Sequence, residues 1–370
     1  MTESKIGIAL IGCGGIALAN HIPGVTLTNH AKIVALCDAN EGALQRASAQ
    51  TGVTVTSTHY KEVIARDDVH GVIIATPNFL HREIALYAIS LGKHVMSEKP
   101  LGLNLDETVQ MARAADAANV RHMTAFTYRF VPAMRYMAHL VGTGFIGTPY
   151  HFRAQRLQDW GTRNIGWRQV KALAGSGEIG DMLSHRIDFG HVLLGDLSRV
   201  VSASKRWHDV RDGAPNDLED WVALLGDFAN GATGVWESSK QVTGFGEGGA
   251  SRDIAEVNGS EASLIYELGT PNTVRIGRAG DAHGEVVPVP EAFLKHPASP
   301  RNVHEGNPVQ TFRWDQDAEF VDAILNERAC TPSFWDGVRA QTIIDAALDS
   351  NDERAWVPVA YPSPAPIRRD

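Results

Sequence analysis

The first third of the chain alternates short apolar runs with longer amphipathic stretches. The runs at 6–11, 33–37, 72–75, 94–97 and 122–125 have the length of buried strands, and 41–50, 82–91 and 105–118 look helical. Such alternation predicts βαβ units on a parallel sheet, with right-handed crossovers and ligands at the carboxyl ends of the strands. From Thr148 the texture changes. Segments 200–206, 221–228, 234–240, 254–257, 263–266 and 273–276 read as strands joined by Gly, Asn or Pro turns. Strands without intervening helices predict an open, mostly antiparallel sheet. Two late helices are expected, at 316–326 and 335–350, and 280–307 reads as a long loop. No repeat of fixed period is visible, which argues against a solenoid or propeller.

The first strand runs into Gly12-Cys13-Gly14-Gly15-Ile16-Ala17, a G-x-G-x-x-A turn that opens a helix. Gly12 permits the tight turn, Gly14 lets the backbone approach a pyrophosphate, and Ala17 is small enough for the helix to pack on the sheet. With Gly15 and Ile16, the turn presents free N–H groups and the positive end of a helix dipole to phosphates. The second strand ends in Asp38, placed to accept hydrogen bonds from a ribose and to repel a 2′-phosphate. Ala39 and Asn40 follow, not arginine, so NAD is expected over NADP. The predicted architecture is α/β throughout. A doubly wound parallel Rossmann sheet occupies 1–127, and a second α/β domain on the open antiparallel sheet occupies 128–370.

Composition narrows the class. Hydrophobic content of 44% and charged content of 21% are those of a globular protein. No apolar run reaches the ~18 residues of a membrane span, and the start lacks a signal-peptide layout. Cys13, Cys37 and Cys330 are too scattered for a disulfide framework or zinc knuckle, so a cytoplasmic protein is expected. A net charge of −9 argues against a nucleic-acid partner.

Several motifs resemble the glucose–fructose oxidoreductase, inositol dehydrogenase and MocA (Gfo/Idh/MocA) family. They are Ala75-Thr76-Pro77-Asn78-Phe79-Leu80-His81, Glu98-Lys99-Pro100, Tyr128-Arg129-Phe130-x-Pro132, Asp181-x-x-x-His185-x-x-Asp188, and Ser333-Phe334-x-Asp336-Gly337. The resemblance implies that Thr76, Asn78, His81, Glu98, Lys99, Arg129, Trp167 and Arg168 contact the cofactor. It further implies that Lys99, Asp181 and His185 carry catalysis, and that Tyr128 lies beside a carbohydrate substrate. Members are commonly dimers or tetramers, so a homodimer or homotetramer is expected. Leu183 stands where the family usually has glycine, and a larger side chain there is expected to reshape the pocket.

The residue chemistry supports those roles without requiring them. Lys99 sits at the carboxyl end of the fifth strand, where an ammonium can favour a developing alkoxide; a strand-end salt bridge is the competing reading. Asp181 and His185 are four apart on one helical face, as proton exchange with a hydroxyl needs, though a capping Asp and a satisfied core His would look the same. His185, Asp188 and His191 make too loose a set for a metal, and none is expected. Arg153, Arg156, Arg163, Arg168 and Lys171, opposed only by Asp159 and interleaved with Trp160 and Trp167, suggest an acidic sugar. Arg156, Asp159 and Arg163 are therefore candidate substrate contacts. Two functions remain open: an NAD-dependent oxidoreductase acting on a hydroxyl of a sugar, glycoside or cyclitol, and a glycoside hydrolase that oxidises C3 transiently, eliminates, hydrates and re-reduces.

Overall fold

The computed structural model describes residues 5–364. Six short strands, β1 (Ile6–Ile11), β2 (Ala31–Cys37), β3 (Thr56–Ser57), β4 (Gly71–Ile74), β5 (His94–Ser97) and β6 (His122–Thr124), form a parallel sheet in the order β3-β2-β1-β4-β5-β6. All six residues of β1 and all four of β4 are buried, as a sheet covered on both faces requires. Covering helices include Glu41–Thr51, His81–Ser90 and Leu105–Ala117. Asn40 and Asn104 cap two of them, each accepting a backbone N–H at 3.0 Å. Strand order reverses between β1 and β4, which opens a crevice at their carboxyl ends.

The second sheet contains β7 (Pro149–Leu157), β8 (Leu197–Lys205), β11 (Trp221–Phe228), β12 (Thr233–Ser239), β13 (Arg252–Gly259), β14 (Ala262–Glu267), β15 (Thr273–Arg278), β16 (Glu285–Pro288) and β17 (Val357–Pro358). Their order is β16-β15-β14-β13-β7-β12-β11-β8-β17, antiparallel except where β7 meets β12. A separate two-residue pair, β9 (Val210–Arg211) and β10 (Ala214–Pro215), closes a loop. The helix Ser184–Leu194 packs on the inner face, and ten of its eleven residues are buried. The other face exposes Leu225 and Val286.

The helix Phe334–Glu353 joins the two layers, packing against Leu105–Ala117 and against β8. It starts at a capping box, in which Ser333 accepts from Trp335 and Asp336 accepts from the Ser333 N–H.

Four features differ from the sequence reading. β7 was not expected, because its inward positions run Phe152, Ala154, Arg156 and the last is charged. The structure accommodates that arginine through Asp253 on neighbouring β13, at 2.8 Å. The helix Pro132–Gly142, which opens with proline at its first position, was also unread. The expected loop 280–307 contains β16 and a short turn of helix. β3 and β17 have only two residues each and carry too little pattern to see.

Candidate active site

A cleft of about 1200 Å³ lies at the carboxyl ends of β1, β4 and β5 and is closed from the other side by β7, its following loop and the helix Ser184–Leu194. At one end is the glycine turn. Gly12 has φ +93°, and a Cβ there would lie 2.5 Å from the Ala75 carbonyl, so only glycine fits. Cβ atoms on Gly14 and Gly15 would meet nothing within 4 Å, because both face the open cleft. The helix that follows is irregular. It has a π-turn at Ala17–His21 before settling into Ile22–Leu27. Asp38 accepts from the Cys13 N–H at 2.7 Å and the Asn40 N–H at 2.8 Å, which fixes its carboxylate beside the turn.

Thr76 and Asn78 line the cleft after β4, and Asn78 donates to the Ala174 carbonyl at 2.9 Å, bridging to the second domain. After β5 come Glu98 and Lys99. Lys99 donates to the backbone carbonyl of Asp181 and, at 3.3 Å, to its Oδ1. Asp181 lies in a second π-turn, Ile179–Leu183, at the head of the helix that bears His185. Burial pushes the Asp181 carboxyl up, but Lys99, Arg168 and Lys240 outweigh it and hold it at about 2. The His185 ring lies tilted against Tyr128, with ring centroids 4.6 Å apart. Burial lowers its pKa well below the usual value, and the charges of Lys99, Arg186, Arg313 and Arg156 add to that, so the imidazole is neutral.

Seven buried polar atoms in cleft-lining residues have no partner within the protein: Thr76 Oγ1, Thr127 Oγ1, Arg156 Nε, Gln158 Oε1, Trp160 Nε1, Asp181 Oδ2 and His185 Nδ1. Buried polar groups are almost always satisfied, so this set marks where a ligand's polar groups belong.

Of the residues singled out from sequence, Gly12, Gly14, Gly15, Ile16, Asp38, Thr76, Asn78, Glu98, Lys99, Tyr128, Arg156, Arg163, Trp167, Arg168, Asp181 and His185 all line the cleft. Ala17 and His81 do not; both are buried, and His81 spans the carbonyls of Thr76 and Pro100 at 3.0 Å. Arg129 lies off the cleft wall, held by Asp188 at 2.7 Å and Asp336 at 2.8 Å, so Asp188 also leaves the site. Asp159 turns into its loop, accepting from the Gly161 and Gly244 N–H groups. Leu183 does not shape the pocket. It lies in the core with no exposure at the end of the π-turn, and its neighbour Met182 lines the cleft.

The basic stretch disperses on folding. Arg153 points to the outer sheet face, Arg163 pairs with Glu247, and Arg168 stacks on Trp167 with its Nε 3.9 Å from Asp181. Sequence reading missed Gln158, Glu247, Arg313 and His21. His21 Nδ1 lies 2.9 Å from Asp317, and its Nε2 lies 3.1 Å from Glu98. Its histidine falls in the glycine-turn helix, and no local pattern marks it.

The profile described as an oxidoreductase family with an NAD-binding Rossmann fold matches residues 6–126, and that of the GFO/IDH/MocA C-terminal domain matches 134–265. Levoglucosan dehydrogenase of Pseudarthrobacter phenanthrenivorans is 30% identical over 355 residues, covering 88% of each chain. This chain belongs to the Gfo/Idh/MocA oxidoreductase family. A solved levoglucosan dehydrogenase with NADH and levoglucosan superposes with a TM-score of 0.87 at 29% identity, over 96% of this chain and 99% of that one. Glucose-6-phosphate 3-dehydrogenase of Bacillus subtilis is 26% identical, covering 94% and 97%.

The cofactor of this Gfo/Idh/MocA protein is NAD, and the residues present fit it. The glycine cradle is open where a pyrophosphate belongs, and Asp38 is fixed where a 2′-hydroxyl is welcome and a 2′-phosphate is not.

Proposed function

We propose that this protein is an NAD-dependent dehydrogenase that transfers hydride to or from a hydroxyl-bearing carbon of a sugar, glycoside or cyclitol. The supporting observation is the convergence of Lys99, Asp181 and His185 on a cleft whose far end is the glycine turn. When bound, NAD supplies the hydride acceptor or donor. The chain supplies orientation and proton handling. His185, neutral and with Nδ1 free, accepts the hydroxyl proton in the oxidising direction. The Lys99 ammonium stabilises negative charge growing on that oxygen. Asp181 steers Lys99 through Oδ1 and leaves Oδ2 for a neighbouring hydroxyl. Gln158 and Trp160 offer an acceptor and a donor to further hydroxyls, and Tyr128 forms the wall beside the imidazole.

By their names, the relatives act on levoglucosan and on glucose 6-phosphate, so they differ in substrate. The test is a panel of sugars and chromogenic glycosides with NAD, followed by NADH absorbance and aglycone release together. Accumulating NADH is the expected result. Aglycone without net NADH would instead establish the second reading, glycoside cleavage through transient oxidation. Tyr128 gives that reading a base: burial raises its phenol, but Arg156, Arg313 and Arg186 outweigh it and hold the pKa at about 8.

We also place the cofactor-binding domain at 1–127 and the substrate and assembly domain at 128–370. The exposed face bearing Leu225 and Val286 is then the interface of a homodimer or homotetramer, which light scattering on wild type and Leu225→Glu would check. A cytoplasmic location agrees with three buried, free cysteines. Among the described residues, no helix is long and apolar enough to cross a membrane.

A further inference from the structure

Behind His185 lies a group of charges that the proposed mechanism does not use. Arg156 and Arg186 are both almost fully buried, and both bond the same carboxylate oxygen of Asp253. Arg313 comes from the distant segment Phe312–Trp314, lines the cleft, and donates to the Tyr128 hydroxyl at 3.2 Å. Its guanidinium lies 5.1 Å from the Tyr128 ring centroid, and that of Arg186 lies 4.4 Å from it. Among the described residues, no carboxylate pairs with Arg313. The guanidiniums of Arg186 and Arg313 therefore flank one tyrosine, and a single carboxylate, Asp253, serves both Arg186 and Arg156, whose Nη1 also donates to Ser251 and the Gly248 carbonyl. Three of their N–H positions, Arg156 Nε and Arg186 Nε and Nη1, are buried without a partner.

An uncompensated cationic excess in a desolvated site is costly unless an anion completes it. The neighbouring cations are already answered: Lys99 and Arg168 by Asp181, Lys240 by Glu178, and Arg163 by Glu247. The glycine turn, at the other end of the cleft, accounts for the cofactor's phosphates.

We propose that Arg313 and Arg156, backed by Arg186, form a subsite for an anionic substituent of the substrate, a phosphate or carboxylate on a sugar whose reacting carbinol faces Lys99 and His185. The planar forks of arginine match both anions. This rests on the dehydrogenase reading for the position of the sugar, and it names the class of sugar.

The test measures equilibrium binding of glucose, glucose 6-phosphate and glucuronate to the enzyme–NADH complex by calorimetry, alongside NAD reduction with the same three compounds. At least one anionic sugar should bind about 10- to 100-fold more tightly than glucose, the scale of a charge-assisted hydrogen bond. Arg313→Met should abolish that preference while NADH binding, followed by fluorescence, is retained. Preference for glucose 6-phosphate alone assigns a phosphate, and for glucuronate alone a carboxylate. Equal binding of all three, or a variant that weakens NADH binding and keeps the preference, overturns the proposal. Arginine-dependent binding without any NAD reduction would keep the subsite and sink the dehydrogenase reading, so the two fail separately.

Discussion

Lys99 Nζ lies 3.3 Å from Asp181 Oδ1, joining the end of β5 in the parallel sheet to the π-turn that heads the helix of the second domain. Neither side chain is freely solvated, at 13% and 15% exposure, so the pair is held in place rather than flickering at a surface. If the ammonium acts on the reacting oxygen, Lys99→Ala should lower kcat by about 100- to 10,000-fold while NADH binding by fluorescence titration stays close to wild type. Near-normal turnover would remove Lys99 from the mechanism.

His185 gives a pH signature. Its folded pKa lies well below 6.5, so it is a ready base throughout the neutral range. The acid limb of kcat/KM for sugar oxidation should fall below pH 6.5, and His185→Asn should erase that limb and lower turnover by about 100-fold or more. A limb at or above the ordinary histidine value would contradict the neutral, buried assignment.

His21 makes the opposite prediction, for stability. Burial disfavours its charge, but Asp317 and Glu98 outweigh that and raise the pKa from 6.5 to about 10. A raised folded pKa contributes stability that is full below 6.5 and is lost as pH climbs through about 10. The urea midpoint of wild type should therefore converge on that of His21→Gln between those limits. Parallel curves across the range would show that His21 carries no charge.

Much of this was legible in the chain. β1, β5 and β11 match their apolar runs residue for residue, because each is bounded by turn residues and buried on at least one face. That Lys99, Asp181 and His185 would meet in one cleft was legible because each sits in a local motif. What escaped depends on partners distant in sequence. His21 meets Asp317 across 296 positions, and Arg156 in β7 is tolerated only because Asp253 lies on the adjacent strand. Arg313 reaches Tyr128 across 185 positions. The π-turn at Ile179–Leu183 escaped for another reason: one extra residue per turn has no signature in a hydrophobic pattern.

Asp38 is the candidate for cofactor choice. Its two carboxylate oxygens hold the Cys13 and Asn40 N–H groups, so Asp38→Ala removes the brace of the turn together with the proposed ribose contact. NADH affinity should fall about tenfold or more, and discrimination against NADPH should shrink with it, both measured by fluorescence titration. Undiminished preference for NADH would place the selection elsewhere.

In the proposed reaction a sugar carbon lies where His185 can take the hydroxyl proton and Lys99 can steady the oxygen while the carbon's hydride passes to the nicotinamide. The most direct measurement incubates the enzyme and NAD with carbon-deuterated sugars of the accepted class and weighs the reduced cofactor by mass spectrometry. Wild type should transfer one deuterium, as deuteride, to each reduced cofactor, and the Lys99→Ala, His185→Asn double variant should transfer none on the same timescale. Reduced cofactor without deuterium, or equal transfer by the double variant, would contradict it.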